Sequence, residues 1–210
     1  MADLGKIAES LIAGKIEEVE SMVQAAVDGG ADPQETVEKG LLAGMDVVGQ
    51  RFKAGEMFIP EVLRSAKAMH AGMEILRPLL SESDSRSAGI MVIGTVEGDL
   101  HDIGKNLVGM MFEGAGYKVV NLGIDLKPQV FVDAVKEHNP DIVAMSALLT
   151  TTMPKMGETI NALKEAGLRD KVKIMVGGAP VTAEFAEEIG ADAYAANAAS
   201  SVDKAKAISG

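Results

Sequence analysis

From residue 89 onward, short apolar runs alternate with amphipathic stretches, and this alternation limits the fold more than any other feature. The runs have the length of β-strands, and the stretches between them have the period of α-helices. Strands and helices that alternate in this way form a parallel sheet covered by helices on both faces. The predicted strands are residues 89–95, 118–122, 142–146, 173–177 and 193–195. The predicted helices are residues 102–116, 128–138, 153–167 and 182–189, with a last helix after Ala198.

The residues before this region have helical periodicity and contain no convincing strand. Asp32-Pro33 followed by Glu35 is typical of a helix start, and Pro60 suits the first turn of a further helix. Four amphipathic helices joined by short loops form a small bundle. A polar stretch, SESDSRS at residues 81–87, separates the two patterns and is predicted to be a linker. We therefore predict a helical domain at residues 1–80, a linker at 81–88 and an α/β domain at 89–210.

Composition excludes several classes of function. The chain has 210 residues, a net charge of −11 and no cysteine, so disulfides and thiolate metal sites are excluded. The negative charge and the absence of a basic patch argue against a nucleic-acid partner. The amino terminus lacks the pattern of a signal peptide, and no apolar run is long enough to cross a bilayer. We expect a cytoplasmic protein with neither nucleic acid nor membrane as a partner.

One loop after the first predicted strand carries the strongest candidate for chemistry, Gly98-Asp99-Leu100-His101-Asp102-Ile103-Gly104. Ligands of open α/β sheets bind outside the carboxyl ends of the strands, where His101 is accessible to a metal or cofactor. Asp99 is close enough in sequence to hold the second ring nitrogen, as carboxylates do for metal-bound imidazoles. The alternative is an ordinary surface histidine. A phosphate-binding loop fits poorly, because five residues separate the two glycines and Asn106 replaces the Ser or Thr that would hold magnesium.

Two further loops follow predicted strands, Thr150-Thr151-Thr152 and Gly177-Gly178. Taken separately, the threonines could simply begin a helix and the glycines could form a turn. In a doubly wound sheet, however, these loops gather along one edge with the loop of His101. This edge is the predicted ligand site.

These residues together resemble the cobalamin-binding domain of methionine synthase and its relatives. The resemblance rests on Asp99-x-His101-x-x-Gly104, Ser146-x-Leu148 and Gly177-Gly178, in that order on a five-stranded α/β pattern. The helical segment resembles that family's cap through Gly44-Met45-x-x-Val48-Gly49-x-x-Phe52 and Gly55-Glu56-Met57-Phe58-Ile59-Pro60. Nearly the whole chain is covered, and its architecture is similar to that of the free-standing corrinoid proteins of methanol, methylamine and aromatic methyl-ether methyltransferase systems. The implied fold is an α/β protein with an N-terminal four-helix bundle cap followed by a flavodoxin-like (Rossmann-like), doubly wound, five-stranded parallel sheet.

The resemblance also implies roles for individual residues. His101 would be the lower axial ligand of cobalt, in place of the cofactor's own dimethylbenzimidazole. Asp99 would bond to the other nitrogen of His101, and Thr152 falls where methionine synthase has a serine that completes this relay. The implied channel for the displaced nucleotide tail is lined by Ser146, Leu148, Thr150 and Gly178, with Ala198 near the tail. The other implied cofactor-binding residues are Gly98, Asp102, Ile103, Gly104 and Gly177, and, from the cap, Glu38, Phe58, Ile59 and Val62.

The function implied by the resemblance is that of a methyl carrier without catalytic residues of its own. Its cofactor would be cobalamin or a related corrinoid, found as methylcobalamin, hydroxocobalamin or cob(II)alamin, with cobalt cycling between Co(I) and methyl-Co(III). The implied partners are a substrate:corrinoid methyltransferase, a second methyltransferase that loads tetrahydrofolate or a thiol, and a reductive activase for Co(II). A cobalamin-dependent regulator or sensor and the small subunit of a mutase are the alternatives. The methyl donor and the lower base of the corrinoid stay open.

Overall fold

A computed structural model of the chain describes residues 3–80 and 88–209. The chain forms two compact units, a helical unit over the amino-terminal part and an α/β unit that begins at Ala88. The predicted linker at 81–88 lies, except for Ala88, outside the described residues, and the predicted domain bounds stay a prediction.

The helical unit buries one apolar stripe from each of its long helices. Ile7, Leu11, Val19 and Val23 are almost fully buried, as the periodicity predicts. The helices are α1 (Leu4–Ile12), α2 (Ile16–Asp28), α3 (Pro33–Glu35), a π-helical segment (Thr36–Leu42), α4 (Ala43–Lys53), α5 (Ile59–Leu76) and a 3₁₀ turn (Arg77–Leu79).

Two helices begin where the sequence predicts, and a carboxylate caps each of them. The Asp32 carboxylate accepts a hydrogen bond from the backbone N–H of Glu35 at 2.8 Å and begins α3. The Glu61 carboxylate accepts from the N–H of Phe58 at 2.8 Å, so α5 begins at Ile59 with Pro60 in its first turn. The π-helical segment was not predicted. Apolar residues four apart fit both α and π turns, and periodicity therefore does not distinguish the two.

The α/β unit is built on a five-stranded parallel sheet with the order β2-β1-β3-β4-β5. This is the doubly wound topology that the sequence predicts, and its order reverses between β1 and β3. The strands are β1 (Ile90–Val96), β2 (Lys118–Leu126), β3 (Ile142–Ser146), β4 (Lys173–Gly177) and β5 (Ala193–Ala195). The helices are α6 (Ile103–Gly114), α7 (Pro128–His138), α8 (Pro154–Glu165), α9 (Ala183–Ile189) and α10 (Ala198–Ser209), with a 3₁₀ turn at Arg169–Lys171.

Strand β2 is four residues longer than predicted, and its extension holds the loop of His101. The extension contains Gly123 and Asp125, both with positive φ, at 98° and 54°, and these residue types are poor strand formers. The Asp125 carboxylate accepts a hydrogen bond from the Gly98 N–H at 2.7 Å. The Asp125 N–H in turn donates to the carbonyl of Asp99 at 3.1 Å. The end of β2 therefore fixes the backbone that leads from Gly98 to His101.

Candidate functional site

The loops after β1, β3 and β4 meet at the carboxyl edge of the sheet, because these three strands are neighbours. The structure brings together Asp99 and His101 from the first loop with Leu148 and Thr152 from the second. The predicted gathering of these loops along one edge is confirmed.

Asp99 is the centre of this site. Its side chain is fully buried. One carboxylate oxygen, Oδ2, accepts hydrogen bonds from the N–H groups of Leu148 at 2.7 Å and Leu149 at 3.2 Å. The hydroxyl of Thr152 lies 2.7 Å from the same oxygen and 2.9 Å from the Leu149 carbonyl. The other oxygen, Oδ1, accepts from the His101 N–H at 3.1 Å and lies 2.8 Å from His101 Nδ1.

These donors decide the charge of Asp99. Burial raises the pKa of this carboxyl, but hydrogen bonds from Leu148, Thr152 and His101 outweigh burial and hold the pKa well below its usual range. Asp99 is therefore ionised at neutral pH, and an ionised carboxylate only accepts hydrogen bonds. His101 must accordingly carry a proton on Nδ1, which leaves the lone pair on Nε2 available to a metal.

His101 is held rigidly at the surface of the unit. Its side chain is 52% exposed, whereas the Asp99 side chain that orients it is 0% exposed. The Thr95 hydroxyl donates to the His101 carbonyl at 2.9 Å and fixes the backbone from the side of β1. The site thus presents one oriented nitrogen ligand to whatever binds above it.

Large apolar side chains surround this nitrogen ligand and are open to solvent. Leu100 is 67% exposed, Ile103 is 77% exposed and Leu148 is 41% exposed. Exposed apolar patches of this kind mark a binding surface. We call Leu100, Ile103 and Leu148 the apolar platform.

A cavity of about 550 Å³ opens beside His101 within the α/β unit, a size typical of ligand sites. Residues of α6 and α10 form walls, and two rows of strand residues line one face. The inner row is Ile93, Ala144 and Met175, which are in register on β1, β3 and β4. The outer row, two residues nearer the carboxyl edge, contains Ser146 and Gly177.

The residues at this site fit a metal that arrives with its own equatorial ligands. Within the described residues, no three His, Cys, Asp or Glu side chains come together to hold a metal ion, so a metal bound here would take His101 Nε2 as its donor from this cluster and would bring its other ligands with it. Gly104 gives a second observation. It lies in the first turn of α6, where a Cβ would meet nothing within 4 Å. Glycine in a helix costs about 1 kcal/mol relative to alanine, and packing within the protein does not require glycine at this position. The space is free for a ligand.

Most of the predicted site residues lie at this cavity, and some do not. The predicted residues that line it are His101, Asp102, Ile103, Gly104, Ser146, Leu148, Gly177, Gly178 and Ala198. Gly178 has a φ of 135°, and a Cβ there would overlap the carbonyl of Ala147, so this position requires glycine. Thr150 is exposed and does not line the cavity. Gly98, with a φ of 79°, shapes the loop.

The four predicted residues of the helical unit differ in exposure. Phe58 is 68% exposed, Ile59 is 43% exposed, and Val62 is fully buried. Glu38 is exposed in the π-helical segment and accepts a hydrogen bond from Gln34 at 2.7 Å. A role for these residues towards a cofactor stays a prediction.

Sequence reasoning missed some of the residues that shape the site. Asp125 and Thr95 hold the loop from β2 and β1, and the N–H groups of Leu148 and Leu149 hold Asp99. Backbone donors carry no signal in the residue type. An aspartate near the end of a predicted strand is a turn signal, but it does not show which loop it will hold.

Comparison with known families decides the identity of the chain. The family described as B12 binding domain matches residues 89–203, and a second family with the same description matches residues 4–77. The chain belongs to the B12-binding corrinoid proteins. A corrinoid protein of Desulfitobacterium hafniense (strain Y51) is 47% identical over 213 residues, which cover 100% of this chain and 99% of that protein.

Two further relatives connect this corrinoid protein with methyl transfer. Trimethylamine corrinoid protein 1 of Methanosarcina acetivorans is 48% identical over 189 residues, covering 89% of this chain and 88% of that protein. The methanol:cobalamin methyltransferase complex of Methanosarcina barkeri contains a chain with a TM-score of 0.89 and 34% identity. That match covers 97% of this chain and 78% of the other. The resemblance, the fold and the corrinoid cofactor expected from the sequence are confirmed.

Among residues 3–80 and 88–209, no helix combines the length and the apolar character that crossing a membrane requires.

Proposed function

We propose that this corrinoid protein carries a methyl group from a substrate-specific methyltransferase to a second methyltransferase, with His101 as the axial ligand of its cobalt. The observation that carries the proposal is the fixed tautomer of His101. Nδ1 lies 2.8 Å from a fully buried, ionised carboxylate, so Nε2 is the nitrogen left to coordinate. The relatives named for trimethylamine and dimethylamine and the methanol:cobalamin methyltransferase complex support the methyl-carrier function.

When bound, the corrinoid supplies a cobalt that accepts a methyl group and gives it up. The chain's residues control the ligand below that metal. Asp99 keeps a proton on Nδ1 through a short, charge-assisted hydrogen bond, which fixes the tautomer and the orientation of the ring so that the Nε2 lone pair is available to the metal. Thr152 and the Leu148 N–H hold the carboxylate in the orientation that this bond needs.

The apolar platform has a separate task in this proposal. Leu100, Ile103 and Leu148 expose hydrocarbon around Nε2, and burying it against a flat ligand releases water from both surfaces. Exclusion of water also strengthens the interactions of Nε2 and of the Asp99–His101 pair. Phe58 and Ile59 are exposed apolar residues of the helical unit, and the cofactor contacts that the resemblance assigns to them stay a prediction.

We further propose the partners that the resemblance implies. A substrate:corrinoid methyltransferase delivers the methyl group, and a second methyltransferase passes it to tetrahydrofolate or a thiol. A reductive activase restores the cofactor after oxidation to Co(II). The cavity and the platform account for binding of the cofactor, and the chemistry on the methyl donor belongs to the first partner.

The proposal is tested by methylation in a mixture of purified components. The holoprotein, reduced anaerobically, is mixed with candidate methyltransferases and trimethylamine, dimethylamine or methanol, and the visible spectrum of the cofactor is followed. We expect methylation with one donor and its methyltransferase, and none when the methyltransferase is omitted. A holoprotein that stays unmethylated with every pair, but binds promoter DNA, would instead be a regulator.

A further inference from the structure

The two rows that line the cavity differ in polarity. The outer row carries the Ser146 hydroxyl and the bare backbone of Gly177. The inner row consists of the apolar side chains of Ile93, Ala144 and Met175, all buried. Because in-register residues of neighbouring parallel strands point to the same face, each row forms a continuous strip. The cavity is therefore polar near the carboxyl edge and apolar further in.

The small side chain in the middle of the inner row makes room for a flat group. Ala144 lies between the longer side chains of Ile93 and Met175, so its short side chain leaves a depression at the centre of the inner row. On the wall formed by α6, Leu107, Val108 and Phe112 add further hydrocarbon. This shape and composition suit an aromatic ring that needs no hydrogen bonds.

No buried side-chain nitrogen or oxygen of the described residues is left without a partner in this part of the cavity. Within the described part of the chain, every buried side-chain nitrogen and oxygen already has a hydrogen-bond partner. The Ser201 hydroxyl, on the α10 wall, donates to the Ala198 carbonyl at 2.6 Å. Backbone groups of the inner row are paired in the sheet. The ring nitrogens of a purine that enters here would lose the hydrogen bonds that water donates to them, and the Ser201 hydroxyl cannot replace these, because it already donates to Ala198.

We propose that the inner row of the cavity selects the lower base of the corrinoid, and that it favours an apolar aromatic base over a purine. This inference rests on the proposed function and on the channel for the nucleotide tail that the resemblance implies at this cavity, and it names the class of cofactor that the site takes. Dimethylbenzimidazole and adenine are both flat two-ring systems, so size alone separates them little. Adenine, however, carries additional ring nitrogens that accept hydrogen bonds, and these would be buried without a donor.

The expected discrimination follows from the cost of such unpaired groups. A buried donor or acceptor without a partner costs about 1–3 kcal/mol, which corresponds to about 5- to 150-fold in affinity at 1.4 kcal/mol for each factor of ten. An apolar pocket rejects a similar molecule that carries an additional polar group by up to about 100-fold. We expect that one amide added to the inner row will improve the binding of an adenine-containing cobamide, relative to cobalamin, by at least about fivefold.

The experiment compares three probes on the apoprotein, using the visible spectrum to measure Kd. The probes are cobalamin, the cobamide with adenine as its lower base, and cobinamide, which has no lower base. The free cofactors differ in how firmly their own base holds cobalt, and this difference cancels when variants are compared. Met175→Gln adds an amide to the inner row, and Met175→Leu is the matched apolar control.

Met175→Gln is expected to shift the ratio of the Kd values of cobalamin and the adenine cobamide by at least about fivefold in favour of the adenine cobamide, while Met175→Leu keeps the wild-type ratio within about twofold. Cobinamide, which leaves the cavity empty, is expected to bind all three proteins with the same Kd. The inference is overturned when both variants keep the wild-type ratio. Failure of wild type to bind any of the three probes would overturn the proposed function as well, so the two failures are distinguishable.

Discussion

Replacing Asp99 with asparagine removes the charge that fixes the tautomer of His101 and changes the volume very little. Five donors meet at this carboxylate, three of them on Oδ2 and two on Oδ1. An asparagine has one oxygen for them, and its NH₂ group must face the other set. The orientation that satisfies most donors places the oxygen towards Leu148, Leu149 and Thr152, and turns the NH₂ towards His101.

In that orientation the NH₂ group donates to Nδ1 of His101. The proton of the imidazole then moves to Nε2, and the lone pair needed for cobalt is lost. Removal of a carboxylate that orients a metal-bound histidine typically costs 10- to 100-fold in affinity, or about 1.4–2.8 kcal/mol. The His101 N–H also loses its acceptor, and because hydrogen bonds to charged groups contribute about 1.5–3 kcal/mol each, we expect the apoprotein to lose about 2–3 kcal/mol of unfolding free energy.

Two measurements test this prediction. Spectral titration of Asp99→Asn with cobalamin should give a Kd 10- to 100-fold above wild type, and ¹⁵N NMR of the apoprotein should show the proton of His101 on Nε2. Asp133→Asn is the matched control, since it removes one surface carboxylate of α7 that accepts a hydrogen bond from Gln129 at 2.7 Å, and it should leave Kd unchanged. An Asp99→Asn protein with wild-type Kd and the proton still on Nδ1 would refute the reasoning.

Three further predictions concern the pH dependence of stability, the hydroxyl of Thr152 and the free space at Gly104. Because the pKa of folded Asp99 is lowered, its contribution to stability is complete above the unfolded pKa of about 3.9 and is lost as the pH falls below it. Lowering the pH from 6 to 2 should therefore reduce the unfolding free energy of wild type, measured in urea, more than that of Asp99→Asn. Equal reductions in the two proteins would contradict the lowered pKa of Asp99. Thr152→Val removes one donor to Asp99 and should lower the unfolding free energy by about 1–2 kcal/mol, whereas exposed Thr151→Val should change it by less than about 0.5 kcal/mol. Gly104→Ala should stabilise the apoprotein by about 0.5–1 kcal/mol, as expected for a helical glycine with free space around it, and should weaken the binding of cobalamin. A variant that is more stable and also binds cobalamin more tightly would show that the cofactor does not occupy this space.

The topology of the sheet could be predicted because each strand and helix gives a local signal. The runs at 142–146, 173–177 and 193–195 were predicted with the bounds that the structure has. The extension of β2 was not, because Gly123 and Asp125 are poor strand formers. Their pairing depends on β1 and on the loop that follows it, and a contact between distant parts of the chain leaves no local pattern.

The site could be predicted to the level of its side chains and no further. The spacing of Asp99 and His101 predicts their hydrogen bond, and the structure has it at 2.8 Å. The backbone donors from Leu148 and Leu149 that hold Asp99 depend on the path of a loop about 50 residues away. The change in polarity along the cavity could not be predicted from the sequence either, because it arises from the register between three strands.

Coordination of cobalt by His101 is the claim on which the account depends, and electron paramagnetic resonance tests it most directly. Wild type loaded with cob(II)alamin and uniformly labelled with ¹⁵N should show the cobalt signal split by one ¹⁵N nucleus, since that label is present only in the polypeptide. His101→Ala should lose this splitting and still retain the cofactor through the cavity. A wild-type spectrum split only by the ¹⁴N of the cofactor's own base, identical to that of His101→Ala, would contradict the account.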